Sequence, residues 1–179
     1  MSVAFKEWAL VCEALGDGRQ SLILRKGGIA EGRGGFAFQH DEFFLFPTWF
    51  HEQLPKTTLP AHTVLPEQKE DEIEIRYAAT IIWSRLLTNP EHVLGLREFH
   101  VLHESVVQDR FCYDGMQGLF VAFVRVFRLE PACVFPMEKK FGGCRSWVNI
   151  PDLGHCALVS VLSDEEHDRR TKGLHAILG

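Results

Sequence analysis

The chain lacks the features that mark membrane, secreted and zinc-binding proteins. No stretch approaches the roughly 20 consecutive apolar residues that a membrane-spanning helix requires. The first residues, MSVAFKEWALVCEAL, include Lys6, Glu7 and Glu13 and therefore do not form the unbroken apolar segment of a signal peptide. The five cysteines contain no pair at CxxC spacing, which excludes a zinc ribbon or a thioredoxin-like motif. We expect a cytoplasmic protein with free thiols and no membrane association.

An excess of basic residues is also missing. The 19 lysines and arginines are outnumbered by 24 aspartates and glutamates, which gives a formal net charge of −5. This balance argues against a surface coated with positive charge for sequence-independent DNA binding. It leaves room for a local basic groove, and Arg110, Arg125 and Arg128 are candidates for a basic stripe.

Phenylalanine, by contrast, is abundant, with 14 copies in 179 residues. The stretch FAFQHDEFFLFPTWFH, residues 36–51, combines six of them with a tryptophan and a short polar interruption. A chain of this length buries roughly 70% of the surface that its unfolded form exposes. Because each buried ring removes a large apolar area from water, we predict a core built largely of aromatic side chains.

Hydrophobic spacing predicts the order of the helices and strands. Over residues 3–15 apolar side chains recur at three- and four-residue intervals, which predicts a helix that ends at Gly16 and Gly18. Strands are predicted at 20–26, 41–46, 73–87 and 118–129. Helices are predicted at 89–98 and 103–111, between the third and the fourth of these strands. Pro47 is expected to end the strand at 41–46. Because strands and helices do not alternate regularly, we predict an α+β fold with helices packed on a mixed or antiparallel sheet.

The length favours one compact unit. We predict a single α+β domain over residues 1–150, and the proline-rich stretch 51–66 marks an alternative division into lobes 1–66 and 67–150. Residues 151–179 form a charged C-terminal segment that we expect to be helical or partly disordered.

Four short segments resemble a known family. They are FKEWA at 5–9, LRKGGI at 24–29, HDEFFLFPTWFH at 40–51 and GGCRSWV at 142–148. In this order, from about residue 4 to residue 150, the chain is similar to a bacterial family known only as domain of unknown function 1802. The resemblance implies that the four segments belong to one architecture. It supplies no activity, substrate or catalytic residue.

The segment LRKGG at 24–28 is a candidate anion cradle. Glycines let backbone N–H groups approach a phosphate, so Gly27 and Gly28 can form a nest next to Lys26. Arg25 is suited to hold a phosphate or carboxylate through two parallel hydrogen bonds. The alternative is a strand that leaves the core with two cations and a glycine turn, since the spacing is not that of a P-loop.

The segment GGCRSW at 142–147 places a guanidinium, a hydroxyl and an aromatic ring side by side. Trp147 is a candidate for stacking on a base while Arg145 and Ser146 contact phosphate. The alternative is a core tryptophan on which Arg145 packs.

The polar side chains of residues 40–51 are candidate ligands for a divalent metal. Imidazole with carboxylate is a common ligand set, so His40, Glu42 and His51 are the metal candidates, and Thr48 is expected to turn back toward the same rim with His51. His40 also suits general acid–base catalysis. The alternative is that these groups form the solvated rim of a buried aromatic strand.

Three functions are compatible with these clusters. The first is a binding module for a phosphate-bearing small molecule or nucleic acid, which uses the cations and Trp147. The second is a metal-dependent hydrolase of phosphodiester or similar bonds, with Glu7, His40 and Glu42 as ligands or acid–base groups and Lys26 as electrostatic stabiliser. The third is a protein-interaction domain with an exposed aromatic patch around Trp49 and Phe50.

Overall fold

The computed structural model describes residues 2–26, 36–115 and 117–179. In chain order the elements are β1 (Ser2–Trp8), α1 (Ala9–Gly16), β2 (Leu22–Arg25), β3 (Glu42–Thr48), β4 (Glu72–Leu87), α2 (Pro90–Gly95), α3 (Glu104–Phe111), β5 (Leu119–Pro136), β6 (Trp147–Ile150), β7 (Ala157–Ser160) and α4 (Asp164–Leu178). Short 3₁₀ turns lie between several of them.

The described strands form one mixed sheet in the order β2-β5-β4-β3-β1-β6, and β7 pairs with β5 outside this path. β1 and β3 run parallel, with Ala4 opposite Phe44 and Trp8 opposite Thr48. The other strand pairs of the sheet are antiparallel. The predicted α+β class and the mixed sheet are therefore confirmed.

The two faces of the sheet bury separate apolar clusters. Phe5 and Leu45 belong to the larger cluster, which also contains side chains from all four helices. Ala4 and Phe46, their neighbours along the same strands, belong to the smaller cluster on the opposite face. This division follows from the alternation of side chains along a strand. Six of the 26 buried residues of the larger cluster are aromatic, so aliphatic side chains make up more of this core than the composition predicts.

The helix predicted over residues 3–15 is wrong in its first half. Residues Ser2–Trp8 form β1, and the helix begins only at Ala9. β1 lies between β3 and β6 and is paired on both sides. Pairing with two neighbours satisfies the backbone groups of this segment, so tertiary contacts override the helical spacing of its apolar residues.

Pro47 does not end β3, which continues to Thr48. The register partner of Pro47 on β1 is Glu7. On its other side, β3 pairs with β4 only through Glu42, Phe43 and Phe44. Pro47 therefore lies beyond the part of β3 that pairs with β4, where the missing N–H leaves no ladder bond unmade.

The C-terminal segment packs on the same sheet. β7 pairs with β5 through contacts such as Phe127 with Ser160. α4 buries Leu174 in the larger apolar cluster, and its Ser163 N-cap accepts a hydrogen bond from the Glu166 N–H. Within the described residues, no helix is long and apolar enough to cross a membrane.

Candidate anion-binding cleft

An open cleft of about 400 Å³ lies where β1, β2, α3 and the turn before β6 meet, and we refer to it as the basic cleft. Its lining residues are Trp8, Arg25, Lys26, Lys56, Ser105, Val106, Asp109, Arg110, Tyr113, Cys144 and Ser146. Four of these side chains are cationic at neutral pH and one is acidic. The local charge is therefore positive in a chain whose net charge is −5.

A stacked pair of side chains forms one wall of the cleft. The Arg110 guanidinium lies over the Trp8 ring at 4.9 Å from its centroid. One Arg110 N–H donates to the Leu24 carbonyl, which fixes the plane of the guanidinium. Burial lowers the pKa of Arg110, nearby Glu7 opposes this shift and Arg25 adds to it. Even a lowered arginine pKa leaves the group protonated at neutral pH, so the wall carries a fixed positive charge.

Arg25 forms a second wall and joins two distant parts of the chain. Its Nη2 donates to the Ser146 Oγ at 2.6 Å, and its guanidinium lies 5.1 Å from the centre of the Phe5 ring. The Arg25 Nε is buried and has no hydrogen-bond partner within the described ranges. Arg25 therefore has a fixed orientation at the cleft, and its buried Nε–H is left without an acceptor among the described residues.

Glu7 supports this region from inside the protein. Its side chain is buried, at 1% exposure, and Oε1 accepts a hydrogen bond from the Trp8 N–H at 2.9 Å. The hydroxyl of Thr48 donates to the Glu7 carbonyl at 3.0 Å. Glu7 Oε2 is buried without a hydrogen-bond partner in the described part of the chain. The negative charge of Glu7 favours the protonated form of Arg110. Glu7 therefore influences the cleft through the charge of Arg110.

The turn at 142–146 is fixed to β1. The Lys6 N–H donates to the Ser146 carbonyl at 2.8 Å, and Lys6 Nζ donates to the Gly143 carbonyl at 3.1 Å. Gly143 has φ +83°, a conformation that favours glycine. Burial and then Arg145 lower the pKa of Lys6, while Cys144 raises it. The turn thus brings Cys144 and Ser146 into the cleft and leaves the Arg145 side chain exposed.

Trp147, predicted as a binding ring, does not line the basic cleft. Its ring packs against Phe5, Phe43 and His40 at centroid distances of 4.8, 5.2 and 4.9 Å. These contacts are those of a ring at the margin of the aromatic core. The aromatic side chains that line the cleft are Trp8 and Tyr113.

The metal candidates are not brought together. Glu42 begins β3 and Thr48 ends it, and six residue steps along a strand span about 20 Å. His51 lies beyond Thr48, whereas His40 precedes Glu42 and contacts Trp147. No group of three His, Cys, Asp or Glu side chains suited to hold a metal is found within residues 2–26, 36–115 and 117–179.

The basic cleft therefore contains only part of the predicted set. It includes Arg25, Lys26 and Ser146, and Glu7 and Thr48 lie directly behind Trp8. Gly27 and Gly28 lie outside the described residues. Lys56, Tyr113 and Trp8 were not predicted as site residues, although Trp8 lies in the segment FKEWA at 5–9. Arg110 carried a weaker signal as a member of a basic stripe, although Arg125 of that stripe instead pairs with Asp164.

Comparison with known proteins identifies a family and gives distant structural similarities. The chain is similar to the ASCH protein from Zymomonas mobilis (10% identity, 95% of this chain and 93% of that one, TM-score 0.48) and to a serine-to-alanine mutant of the same ASCH protein (12%, 95% and 94%, 0.47). No curated protein matches significantly. The family model described as "Domain of unknown function (DUF1802)" matches residues 4–173. The chain therefore belongs to the DUF1802 family.

Proposed function

We propose that the protein is a binding module for a phosphate-bearing ligand, and that the ligand class is single-stranded nucleic acid held in the basic cleft. The observation that carries this proposal is the stacking of Arg110 on Trp8 in the same cleft as Arg25, Lys26 and Lys56. Single-stranded nucleic acid is bound without sequence preference by grooves that combine cations for the backbone with flat surfaces for the bases.

The arrangement of charge supports an anionic ligand. Asp109 is the one carboxylate among the lining residues, against four cations. A concave surface lined mainly by cations concentrates the electric field and attracts anionic ligands. This attraction is local, so it also acts in a protein whose net charge is negative. Arg25 contributes a cation in a fixed orientation to the lining of the cleft, because the Ser146 hydroxyl accepts a hydrogen bond from its Nη2.

The flat surfaces support a ligand that also carries bases. A base stacks on an aromatic ring or on the plane of an arginine side chain. Trp8 and Arg110 offer both kinds of surface in one stacked pair, and Tyr113 adds a second aromatic ring to the lining. A simple inorganic anion needs none of these planes.

The two other candidate functions have less support. Hydrolysis by His40 and Glu42 acting with Glu7 and Lys26 requires the four side chains to converge, and of the four only Lys26 lines the basic cleft. An interaction patch at Trp49 and Phe50 requires a continuous exposed aromatic surface. Phe50 is exposed, but Trp49 is half-buried and its Nε1 donates to the Pro66 carbonyl at 3.1 Å.

Charge reversal at the cleft tests the proposal. Lys26→Glu and Lys56→Glu each change the charge by the same amount as Lys172→Glu, a control at an exposed position on α4 outside the cleft. Binding of a fluorescein-labelled single-stranded RNA or DNA 12-mer is followed by anisotropy at several salt concentrations. We expect both cleft variants to weaken binding and to reduce the slope of log Kd against log salt by about 0.7 for each lost phosphate contact.

The control variant should bind as the unmodified protein does. Equal affinity of both cleft variants and the unmodified protein would overturn the proposal. Competition with inorganic pyrophosphate and with AMP separates the ligand classes. Displacement of the 12-mer by low concentrations of either would assign the cleft to a small phosphate-bearing molecule.

A further inference from the structure

A pair of cysteines is formed by Cys133, near the end of β5, and Cys156, which immediately precedes β7. The Sγ atoms of Cys133 and Cys156 are 2.9 Å apart, and both residues are partly exposed. Neither residue lines the basic cleft. The other three cysteines are separate from this pair: Cys12 is buried, whereas Cys112 and Cys144 are exposed.

The backbone of paired strands holds the two thiols together. On β5 the register with β4 jumps from Ile75 opposite Cys133 to Tyr77 opposite Arg128, so residues 129–132 bulge out of the β4 ladder. β7 pairs with β5 at this bulge, with Ala157 opposite Glu130. Cys156 immediately precedes Ala157 and therefore lies beside the bulge that ends at Cys133.

The surroundings keep the pair oriented. The Leu153 carbonyl accepts from the Cys156 thiol at 3.4 Å and from the Cys133 thiol at 3.8 Å. Burial and the neighbouring Cys156 raise the pKa of Cys133 to about 11. Cys133 therefore keeps its proton at neutral pH.

We propose that Cys133 and Cys156 are a reversible thiol–disulfide pair whose oxidant is a low-molecular-weight disulfide such as glutathione disulfide. The Cys156 thiolate attacks one sulfur of glutathione disulfide, the S–S bond breaks and one glutathione leaves. Cys133 then gives up its proton and attacks the Cys156 sulfur of the mixed disulfide, and the second glutathione leaves with that proton. Two protein thiols are oxidised and one glutathione disulfide is reduced to two glutathiones. The sulfur atoms need to approach from 2.9 Å to the bonded distance of about 2.05 Å.

The bond would link β5 to the segment that leads into β7 and α4. It would close a loop between positions 23 residues apart and so restrict the unfolded chain. We expect the melting temperature of the oxidised protein to lie roughly 5–10 °C above that of the reduced protein. The expectation is independent of the ligand in the basic cleft.

Peptide mapping tests the pair in the full chain. The protein is incubated with glutathione disulfide, acid-quenched, alkylated with iodoacetamide and digested with trypsin. We expect a cross-linked species of the peptides 129–139 and 146–169, with mass equal to their sum less two hydrogens and lost on treatment with dithiothreitol. Cys112 and Cys144 should be recovered as alkylated or glutathionylated thiols. Recovery of Cys133 and Cys156 only in those two forms, or their linkage only between two chains, would overturn the proposal.

Melting curves supply the second measurement. The rise on oxidation should be absent in Cys156→Ser and retained in the matched variant Cys144→Ser, whose cysteine lies in the cleft. A rise of the same size in Cys156→Ser would show that another thiol is responsible and would equally overturn the pair.

Discussion

Arg25 and Ser146 connect the two ends of the sheet. Arg25 ends β2 and Ser146 immediately precedes β6, and these are the first and last strands in the order β2-β5-β4-β3-β1-β6. Their 2.6 Å hydrogen bond joins residues 121 positions apart in the chain. The open sheet therefore curves until its ends meet, and the basic cleft lies at that meeting point. This bond explains how a cation from one end of the sheet and a turn from the other line the same cleft.

Removal of the Ser146 hydroxyl should destabilise the protein. Ser146→Ala leaves the Arg25 guanidinium without its acceptor in a partly buried place. Hydrogen bonds to charged groups contribute about 1.5–3 kcal/mol, so we expect the free energy of unfolding in urea to fall by about that amount. Ser84→Ala, at an exposed position on β4, should change it by less than about 0.5 kcal/mol. Equal urea midpoints for the two variants would show that the bond does not hold the sheet ends together.

Loss of the Trp8 ring should weaken nucleic-acid binding without changing its salt dependence. Stacking of one base on an aromatic ring contributes about 1–3 kcal/mol, so Trp8→Leu should raise the Kd for a single-stranded 12-mer by roughly 5- to 150-fold. The slope of log Kd against log salt should stay the same, because no cation is removed. Trp83 is a matched control, since Arg85 lies over its ring at 4.6 Å in another part of the sheet. Similar weakening by Trp83→Leu would indicate a general loss of stability.

The sequence predicts the long strands well because their own residues determine them. β4 and the first half of β5 are long stretches rich in β-branched and aromatic residues, which favour strands. The strand predicted at 73–87 falls within Glu72–Leu87. The strand predicted at 118–129 begins one residue before Leu119–Pro136 and ends inside it. The N-terminal prediction fails for the opposite reason. In residues 3–15 the spacing fits a helix, and only the neighbouring strands, which are distant in sequence, make Ser2–Trp8 a strand.

The site was predictable only where its residues are adjacent in sequence. Arg25 and Lys26 stand next to each other, so their shared charge can be seen in the sequence. Trp8 and Arg110 are far apart in the chain, and their stacking depends on how α3 packs beside the end of β1. Trp147 shows the reverse case, because a local motif suggested a binding ring and packing against Phe5 placed it at the core.

Gly16 is required by the ring of Tyr77. A Cβ atom on Gly16 would lie 2.1–2.6 Å from ring and hydroxyl atoms of Tyr77, which donates to Glu13 Oε2 at 3.0 Å. Gly16→Ala must therefore displace a buried ring, and overpacking of this kind lowers the free energy of unfolding by about 1–3 kcal/mol. The measurement is urea denaturation of Gly16→Ala alone and together with Tyr77→Leu, which removes the obstructing atoms. If the alanine lowers stability equally in both backgrounds, the contact with Tyr77 is not the cause.

His100 should make stability depend on pH in the acidic range. Burial, and then the charge of Arg110, lower the pKa of His100 to about 4, and its Nδ1 accepts from the Leu102 N–H at 3.2 Å. The unfolded chain binds a proton at this residue near pH 6.5, whereas the folded protein does so only near pH 4. Stability is therefore lost as the pH falls from about 6.5 to about 4, and His100 contributes no further loss below that. The full effect is about 3 kcal/mol, of which about 2 kcal/mol falls between pH 7 and pH 5.

His100→Asn tests this assignment because asparagine can accept the same backbone hydrogen bond two residues ahead without titrating. Urea denaturation at pH 7 and pH 5 should show a loss of stability on acidification that is smaller by about 2 kcal/mol in this variant than in the unmodified protein. The exposed His62 provides the control, and His62→Asn should leave the loss as it is. An unchanged difference between the two pH values in His100→Asn would assign the acid sensitivity to other groups.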